Sequence, residues 1–386
     1  MRKTLIMAAM LACSVARSEN TPASPDSENA GFVVVSTSNA EIIKGLSPYN
    51  WVRTPDFICS ATMGASLKAA FSGTKTVILK VDTSYLQYPS ASRYPVLAWS
   101  VNQGPIQTHQ LVAGEKSIVL SSNVANPGID LYIKGMSPFE NRYKGDVPAD
   151  SVKITGFNVD KGGTVLPTNL PNKYWLNIGD SIMSGDGAGC AKAQGRPAND
   201  AWAASGEARA SYGYLLAEHY GYRESRLAYG GYAWSGGRGG MGGVPPLSQL
   251  IDQITSTVSR LTGSALDPKP DVVLINLGEN GTPAASVVTQ TLAKIRSRVG
   301  NAKIIMMIPL SGKGRKELTD AFNAYISPAQ IDKNGVSAGA NTYLVDLGKI
   351  TYDTAEGQHP TAAGHHSVYL SALPKFDAIL QSKNTP

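Results

Sequence analysis

Two patterns of apolar and polar residues divide the chain near its middle. Up to about residue 160, short apolar or alternating runs are separated by Gly, Pro and Asn, which is typical of β-strands joined by turns. Val152 and Ile154 alternate with Lys153 and Thr155, so one face of that strand is expected to be buried. The pattern predicts an all-β sandwich or jelly roll. The predicted strands are Phe32 to Val35, Thr76 to Val81, Val96 to Trp99, Ser117 to Leu120, Leu131 to Ile133 and Val152 to Val159.

From Tyr174 onward, apolar strands alternate with stretches that repeat at helical spacing, which predicts a parallel sheet covered by helices on both faces. Apolar positions from Leu247 to Leu261 and from Val288 to Val299 predict two core-facing helices. The Gly- and Pro-containing segment Asp160 to Lys173 separates the two patterns. The predicted strands are Trp175 to Ile178, Arg226 to Ala228, Val272 to Leu277, Ile304 to Ile308 and Tyr343 to Val345.

A length of 386 residues accommodates two domains, and 42% hydrophobic with 17% charged residues excludes a disordered chain. We therefore predict a signal peptide at 1–18, a jelly-roll-like β-sandwich at 30–165 and an α/β domain at 172–383. Oligomeric state is not readable from these patterns.

The charge of the chain does not indicate a nucleic-acid partner. The net charge of +6 falls to about +4 if Arg2 and Lys3 are removed with a leader, and the single Arg-Gly-Gly unit at Arg238 lies in no basic stripe. No Gly-Lys-Ser/Thr follows the glycines of Gly230 to Gly243, so a phosphate loop is not predicted.

The N-terminus predicts export. Arg2 and Lys3 precede an apolar stretch from Thr4 to Ala12 and small residues that suit cleavage, while the stretch is too short to span a bilayer. We expect a secreted or periplasmic protein with no stable membrane insertion, and a lipid anchor on Cys13 is the less favoured alternative. The sequence leaves open whether Cys59 and Cys190 form a disulfide or remain two thiols.

Polar residues follow the carboxyl ends of four predicted parallel strands, where ligands of open α/β sheets bind. The four segments are Gly179 to Ser181, Tyr229 to Gly231, Gly278 to Asn280 and Glu356 to Pro360. Each alone has an ordinary structural interpretation, such as a helix-capping serine or a plain turn. Their combination in one chain favours a catalytic site.

Ester hydrolysis requires a nucleophile, a base, a group that orients the base, and donors for the oxyanion. Ser181 is the candidate nucleophile, His359 the base and Glu356 the orienting carboxylate. The backbone N–H groups of Ser181 and Gly231 and the side-chain amide of Asn280 are the candidate oxyanion donors.

The other histidines are weaker candidates. His219 lies on a predicted amphipathic helix, and His109 belongs to the sandwich region. His365 and His366 fall on the closing helix, are adjacent, and form no His-Glu-x-x-His motif, so no metal or other cofactor is predicted.

These segments resemble the four-block pattern of the SGNH, or GDSL-type, serine hydrolases over Tyr174 to about Leu380. The resemblance implies a three-layer, flavodoxin-like α/β hydrolase with a five-stranded parallel sheet, a serine nucleophile and no metal. The matching residues are Gly179-Asp180-Ser181, Gly231, Gly278-x-Asn280 and Glu356-x-x-His359-Pro360.

Two positions depart from that pattern. Glu356 stands where the family usually has Asp, and Gly281 stands where an Asp usually follows the asparagine block. Asp353 is therefore kept as a fallback orienting group, and a Ser–His dyad with a backbone carbonyl as orienter is a further alternative.

A β-sandwich in front of such a hydrolase resembles carbohydrate esterase family two. This implies a carbohydrate O-acetylesterase acting on acetylated poly- or oligosaccharide. Tyr232 and Trp234 follow the glycine donor and are expected either to contact the substrate or to pack against the inserted loop at residues 182–211. The alternative functions are a lipid or thioester hydrolase of the same superfamily and an inactive glycan-binding protein.

Overall fold

A computed structural model of the protein describes residues 31–195, 197, 201–237, 243–327 and 341–381. The predicted signal peptide, Cys13 and Arg238 lie outside these residues. None of the helices in the described ranges has the length and apolar character that crossing a membrane requires.

The first half of the chain forms two antiparallel sheets. One sheet has the order β2-β3-β10-β5-β8, with β1 also paired to β10, and the other has the order β11-β4-β9-β6-β7. Their elements are β1 (Phe32–Val35), α1 (Ala40–Gly45), β2 (Val52–Arg53), β3 (Ile58–Ser60), β4 (Ser66–Ser72), β5 (Val77–Val81), β6 (Val96–Val101), β7 (Gln107–Gln110), β8 (Ser117–Ser121), β9 (Gly128–Gly135), β10 (Val152–Asp160) and β11 (Thr164–Leu166).

The two sheets pack face to face as a sandwich. Val152 and Ile154 of β10 are fully buried while Lys153 and Thr155 between them are partly exposed, as the alternation predicts. Phe157 of β10 contacts Phe71 of β4 across the core, with ring centroids 5.8 Å apart. One apolar cluster therefore joins both sheets.

All six predicted strands of the sandwich are present, but five others were not predicted. β7 is polar along its whole length because it lies at a sheet edge and buries no face. β11 lies inside the segment that separates the two sequence patterns and pairs with β4. The remaining three unpredicted strands are β2, β3 and β4.

The second half contains a five-stranded sheet in which every pairing is parallel, confirming the predicted strands. Its order, β13-β12-β16-β17-β18, is the flavodoxin-like order. The elements are β12 (Tyr174–Gly179), α2 (Ser181–Ser184), α3 (Trp202–Ser205), α4 (Tyr212–His219), β13 (Arg223–Ala228), β14 (Tyr232–Ala233), β15 (Gly236–Gly237), α5 (Leu247–Leu250), β16 (Val272–Asn276), α6 (Ala285–Val299), β17 (Lys303–Met307), α7 (Arg315–Ile326), β18 (Thr342–Val345) and α8 (Ala362–Leu380).

Helices cover both faces of this sheet. Ile178 of β12 packs in the cluster that includes Leu292 of α6, and Trp175 of the same strand packs in the cluster that includes Phe376 of α8. The expected helix over Val288 to Val299 is confirmed as α6, whose predicted apolar positions are buried.

The helix predicted over Leu247 to Leu261 is wrong beyond Leu250. After α5 the chain turns, and the Thr255 hydroxyl accepts hydrogen bonds from the backbone N–H groups of Thr257 and Val258. Side chains of Ser and Thr compete with helical hydrogen bonds in this way, so an apolar period alone did not define the helix.

A side chain of the sandwich, Asn50, hydrogen-bonds to backbone groups at the edge of the parallel sheet. Asn50 donates to the Arg226 carbonyl at 2.6 Å and accepts from the Arg226 N–H at 3.3 Å, on the side of edge strand β13 that has no neighbouring strand. Cys59 and Cys190 are both buried and unpaired, so the disulfide alternative is not formed.

Candidate active site

The register of the parallel sheet brings the predicted loops to one edge. Gly179 at the end of β12 lies opposite Ala228 of β13 and Asn276 of β16. The chain leaves each strand within a few residues of these positions, so the segments carrying Ser181, Gly231 and Asn280 start side by side.

A tight strand-to-helix turn presents the nucleophile. Asp180 caps α2 by accepting the Ile182 N–H at 3.0 Å, which places Ser181 at the first helical position. Gly179 is required before this turn because a Cβ atom there would lie 2.2 Å from the Cβ of Met183.

The predicted nucleophile, base and orienting carboxylate lie in contact. Nε2 of His359 is 2.8 Å from the Ser181 Oγ, and Nδ1 of His359 contacts Glu356 Oε1. Because a carboxylate accepts, Nδ1 carries the ring hydrogen, which leaves Nε2 free to accept the Ser181 hydroxyl proton. This is the bonding order of a serine hydrolase triad.

The loop before α8 accommodates the longer glutamate. A β-bridge between Thr354 and Pro360 closes it, and the Ala355 N–H donates to the His359 carbonyl at 3.1 Å. The fallback carboxylate is elsewhere: Asp353 lies 2.6 Å from the Lys192 ammonium and its side chain is 38% exposed. Asp353 is therefore not the orienting group.

The acidic surroundings of the site favour a protonated imidazole. Burial lowers the pKa of His359, but the hydrogen bond to Glu356 and the charges of Asp186, Glu356 and Asp180 outweigh burial and raise it. Burial raises the pKa of Glu356, and the hydrogen bond and charge of His359 reverse this, so the pKa of Glu356 is lowered. The pair thus stabilises the imidazolium that forms when His359 takes a proton.

Two of the predicted oxyanion donors have no internal acceptor. Within the described part of the chain, the backbone N–H groups of Ser181 and Gly231 donate to no protein atom. Gly231 has φ +71°, a conformation that favours glycine. These two N–H groups are available to a substrate oxygen, and that role stays a prediction.

Asn280, the third predicted oxyanion donor, forms hydrogen bonds that link its own loop to two others. Asn280 Nδ2 donates to Asp180 Oδ2 at 3.1 Å and to the Tyr232 carbonyl at 3.0 Å. Both amide hydrogens of Asn280 therefore point at internal acceptors. Asn280 can donate to an oxyanion only if one of these hydrogens is shared between its internal acceptor and the oxyanion. Burial, together with the charges of Glu279 and Asp186, raises the pKa of Asp180 to about 7.

The comparisons with known proteins identify the fold. No protein-family model and no curated protein matches the chain. A family two carbohydrate esterase from Cellvibrio japonicus superposes with a TM-score of 0.69 at 17% identity, covering 91% of this chain and 98% of the other. The chain has the fold of the family two carbohydrate esterases. This confirms, at the level of fold, the resemblance inferred from the motifs and the domain order.

Two further solved structures share this esterase fold. A family two esterase from Clostridium thermocellum, in complex with cellohexaose, has a TM-score of 0.65 at 18% identity, with 86% of this chain and 98% of the other covered. The acetyl xylan esterase Est2A from Butyrivibrio proteoclasticus has a TM-score of 0.65 at 16% identity, with 91% and 99% covered.

Tyr232 and Trp234, expected either to contact substrate or to pack against the inserted loop, are core residues. Their burial disfavours direct contact with substrate, and that contact stays a prediction. Tyr232 and Trp234 are 0% and 1% exposed. The Tyr232 hydroxyl donates to the Pro245 carbonyl at 2.9 Å, and Trp234 Nε1 donates to the Leu277 carbonyl at 3.1 Å. They pack beneath the site in the apolar cluster on one face of the parallel sheet.

A different aromatic lies against the base. The Trp202 ring meets the His359 ring edge to face, with centroids 5.3 Å apart and planes at 76°. Asp186 is buried nearby and accepts from the Ser184 hydroxyl at 2.7 Å. Both residues belong to the inserted loop at residues 182–211, whose sequence has no periodicity that would predict where these side chains lie.

Two of the remaining histidines make structural contacts. His365 is fully buried, burial lowers its pKa to about 3, and Nδ1 accepts the Tyr212 N–H at 3.4 Å. His219 Nδ1 lies 3.0 Å from the Tyr369 hydroxyl. In the described ranges no group of three or more His, Cys, Asp and Glu side chains is arranged to hold a metal.

Proposed function

We propose that this chain is a secreted serine esterase that removes acetyl or other short acyl groups from carbohydrate. The observation that carries the proposal is the hydrogen-bonded series from Ser181 Oγ through His359 to Glu356. The fold shared with family two carbohydrate esterases supports the same conclusion.

The chemistry proceeds through an acyl-enzyme. Ser181 Oγ attacks the ester carbonyl while His359 Nε2 takes its proton, and Glu356 stabilises the resulting imidazolium. The imidazolium then protonates the departing sugar oxygen. Water, deprotonated by His359, attacks the acyl group, and the proton held by His359 returns to Ser181 as the carboxylic acid leaves.

The N–H groups of Ser181 and Gly231 are proposed to bind the oxyanion, with Asn280 as a further donor. Donors of this kind act on the charge that develops in the tetrahedral intermediate. Because the two backbone groups are fixed by the α2 turn and by the Gly231 conformation, they need little reorganisation when that charge forms.

Restricted access favours a small acyl group. Ser181 is 6% exposed and His359 is 9% exposed, so only a small part of the pair faces solvent. A long acyl chain needs an apolar trough, as a lipid or thioester hydrolase would have. An acetyl group needs only a shallow recess, and Est2A is described as an acetyl xylan esterase.

Substrate chain length separates the two enzyme classes. We expect acetyl aryl esters to be hydrolysed much faster than octanoyl aryl esters, and acetate release from acetylated xylan, mannan or peptidoglycan then identifies the sugar. Preference for the octanoyl ester would contradict the carbohydrate proposal. Glycan binding without hydrolysis of any ester would identify a binding protein.

The proposed chemistry needs no metal ion. Incubation with a chelator is expected to leave the hydrolysis rate unchanged. Loss of activity that added zinc restores would contradict this expectation. Export is tested separately, by N-terminal sequencing of the protein recovered outside the cytoplasm, with cleavage expected near residue 18.

A further inference from the structure

We propose that the β-sandwich positions the catalytic base of the hydrolase site. The end of β9 fixes the position of α3, and Trp202 of α3 packs against His359 and fixes the position of its imidazole. The inference rests on the proposed esterase function and assigns positioning roles to Gly135 and Trp202. The sandwich would then be needed for turnover as well as for any contact with a glycan.

The contact between β9 and α3 combines a close backbone approach at Gly135 with hydrogen bonds from the Lys134 side chain. A Cβ atom on Gly135 would lie 1.9 Å from the carbonyl oxygen of Ala203, and one on Gly206 would lie 2.9 Å from the Gly135 Cα. Lys134 Nζ donates to the carbonyls of Ala204 at 3.1 Å and Gly206 at 2.5 Å. The strand thus contacts the last turn of α3 both through its backbone at Gly135 and through the Lys134 ammonium.

α3 depends on such external contacts. It has four residues, its N-terminus has no side-chain cap, and isolated helices of this length are unstable in water. The Ser205 carbonyl accepts the Gly189 N–H at 2.8 Å, which adds one further tie to the inserted segment. The place of α3 is therefore set by what it packs on, and the sandwich supplies the closest of these contacts.

Trp202, the first residue of α3, links the position of α3 to that of the base by direct contact. Its ring is 4% exposed and packs edge to face on the His359 imidazole. Gly187 lies against both residues, because a Cβ atom there would be 3.4 Å from the His359 Cβ and 3.8 Å from Trp202 Cζ3. A shift of α3 would consequently open space beside the imidazole that accepts the Ser181 proton.

The chain that continues from β9 reaches the predicted oxyanion loop as well. A Cβ atom on Gly230 would lie 2.9 Å from the Pro138 Cβ, and the Arg142 guanidinium lies 5.1 Å from the Tyr229 ring centroid. Arg142 is 1% exposed and donates to the Ala61 carbonyl at 2.9 Å. One strand of the sandwich and its continuation thus support both the base and the loop that carries Gly231.

The test compares two glycines of the same strand. Gly135→Ala places a methyl group against the Ala203 carbonyl, whereas Gly128→Ala meets only the flexible Asn102 side chain, at 3.2 Å. We expect Gly135→Ala to lower kcat on an acetyl aryl ester by about 10-fold or more with KM changed less than about 2-fold, because misplacing a reacting group lowers kcat. Gly128→Ala should retain the kcat of the unsubstituted protein.

A second pair tests the link to the base, even if Gly135→Ala does not fold. Trp202→Ala should lower kcat and move the acid limb of the pH–rate profile to higher pH, because exposure of His359 removes the burial that lowers its pKa. Trp202→Phe should recover most of the kcat. Near-normal kcat and an unmoved acid limb in Trp202→Ala would overturn the inference, as would an effect on KM alone.

Ser181→Ala separates this inference from the proposed function. If Ser181→Ala retains ester hydrolysis, the serine esterase proposal itself fails. If Ser181→Ala is inactive while Trp202→Ala and a folded Gly135→Ala keep normal kcat, only the positioning inference fails.

Discussion

At the scale of single residues, the site depends on which side-chain atoms lie close enough to form hydrogen bonds with each other. Glu356 reaches Nδ1 of His359 despite the extra methylene, because the loop closed by Thr354 and Pro360 holds the two residues together. Residue types and order were enough to predict that Ser181, His359 and Glu356 lie together. They could not predict Trp202, since a lone aromatic in a Gly- and Ala-rich segment gives no sign of its neighbours.

Glu356→Gln tests the role of the orienting carboxylate. The hydrogen bond and charge of Glu356 raise the pKa of His359 while burial lowers it, so removing the charge lowers that pKa. His359 acts as base only when neutral. The acid limb of kcat/KM is therefore expected to move to lower pH, and the plateau kcat should fall about 10²-fold or more as the imidazolium loses its partner. A near-normal plateau would instead indicate a Ser–His dyad.

Asp180→Asn tests how Asn280 is oriented. Asp180 accepts from both the Ile182 N–H and Asn280 Nδ2, and an amide at position 180 must turn a donor toward one of them. We expect kcat to fall about 10-fold to 100-fold, a loss smaller than or equal to that of a missing oxyanion donor. The melting temperature should also fall, because one buried donor is left without an acceptor at a cost of about 1–3 kcal/mol. Kinetics identical to those of the unsubstituted protein would show that Asn280 needs no such support.

At the scale of elements, the central strands β12, β16 and β17 were predictable because each is a largely apolar run that is buried on both faces. The edge strands β13 and β18 are more polar or partly exposed, and only their apolar ends gave a clear pattern. The helix expected after Leu247 was wrong because the run from Thr255 to Ser259 makes local turns instead. α3 could not be predicted either, since its four residues are stabilised by contacts with β9. The spacing of apolar residues does not report local hydrogen bonds from side chain to backbone, which decide the first segment, or contacts with a distant strand, which decide the second.

A buried ion pair between Arg226 and Glu224 supports α2, the helix that carries Ser181. Arg226 is 0% exposed, and its Nε donates to Glu224 Oε1 at 2.8 Å. Its Nη1 donates to the carbonyls of Met183 and Ser184 at 3.2 Å and of Ala208 at 3.0 Å. One guanidinium therefore joins α2, the inserted segment and β13.

Arg226→Met should destabilise the fold by about 3 to 5 kcal/mol, because it leaves the Glu224 carboxylate buried without its partner. Urea unfolding followed by circular dichroism measures this loss. The double variant Arg226→Met with Glu224→Gln should recover part of it, since no charge is then left unpaired. A loss below about 1 kcal/mol in the single variant would contradict the assigned role of the ion pair.

At the scale of the whole molecule, the change of pattern near residue 160 predicted a β-sandwich followed by an α/β domain. The contacts between the two parts were not predictable. Asn50 meets Arg226 and Gly135 meets Ala203 across long sequence separations, and neither pair belongs to a motif. Local patterns report which face of an element is buried, but they do not report what buries it.

The unpaired cysteines give a whole-molecule prediction. Because Cys59 and Cys190 are free and buried, a reductant should leave the melting temperature unchanged. In denaturant without reductant, both should react with a thiol reagent. A drop in melting temperature on reduction, or protection of both thiols in denaturant, would show that they pair.

Labelling with a fluorophosphonate followed by peptide mapping tests the central claim most directly, because the reagent reacts with an activated serine whatever the natural ester is. The account predicts one labelled site, Ser181, with labelling lost in His359→Ala and retained in His365→Phe. Labelling of another serine, or undiminished labelling of Ser181 without His359, would contradict it.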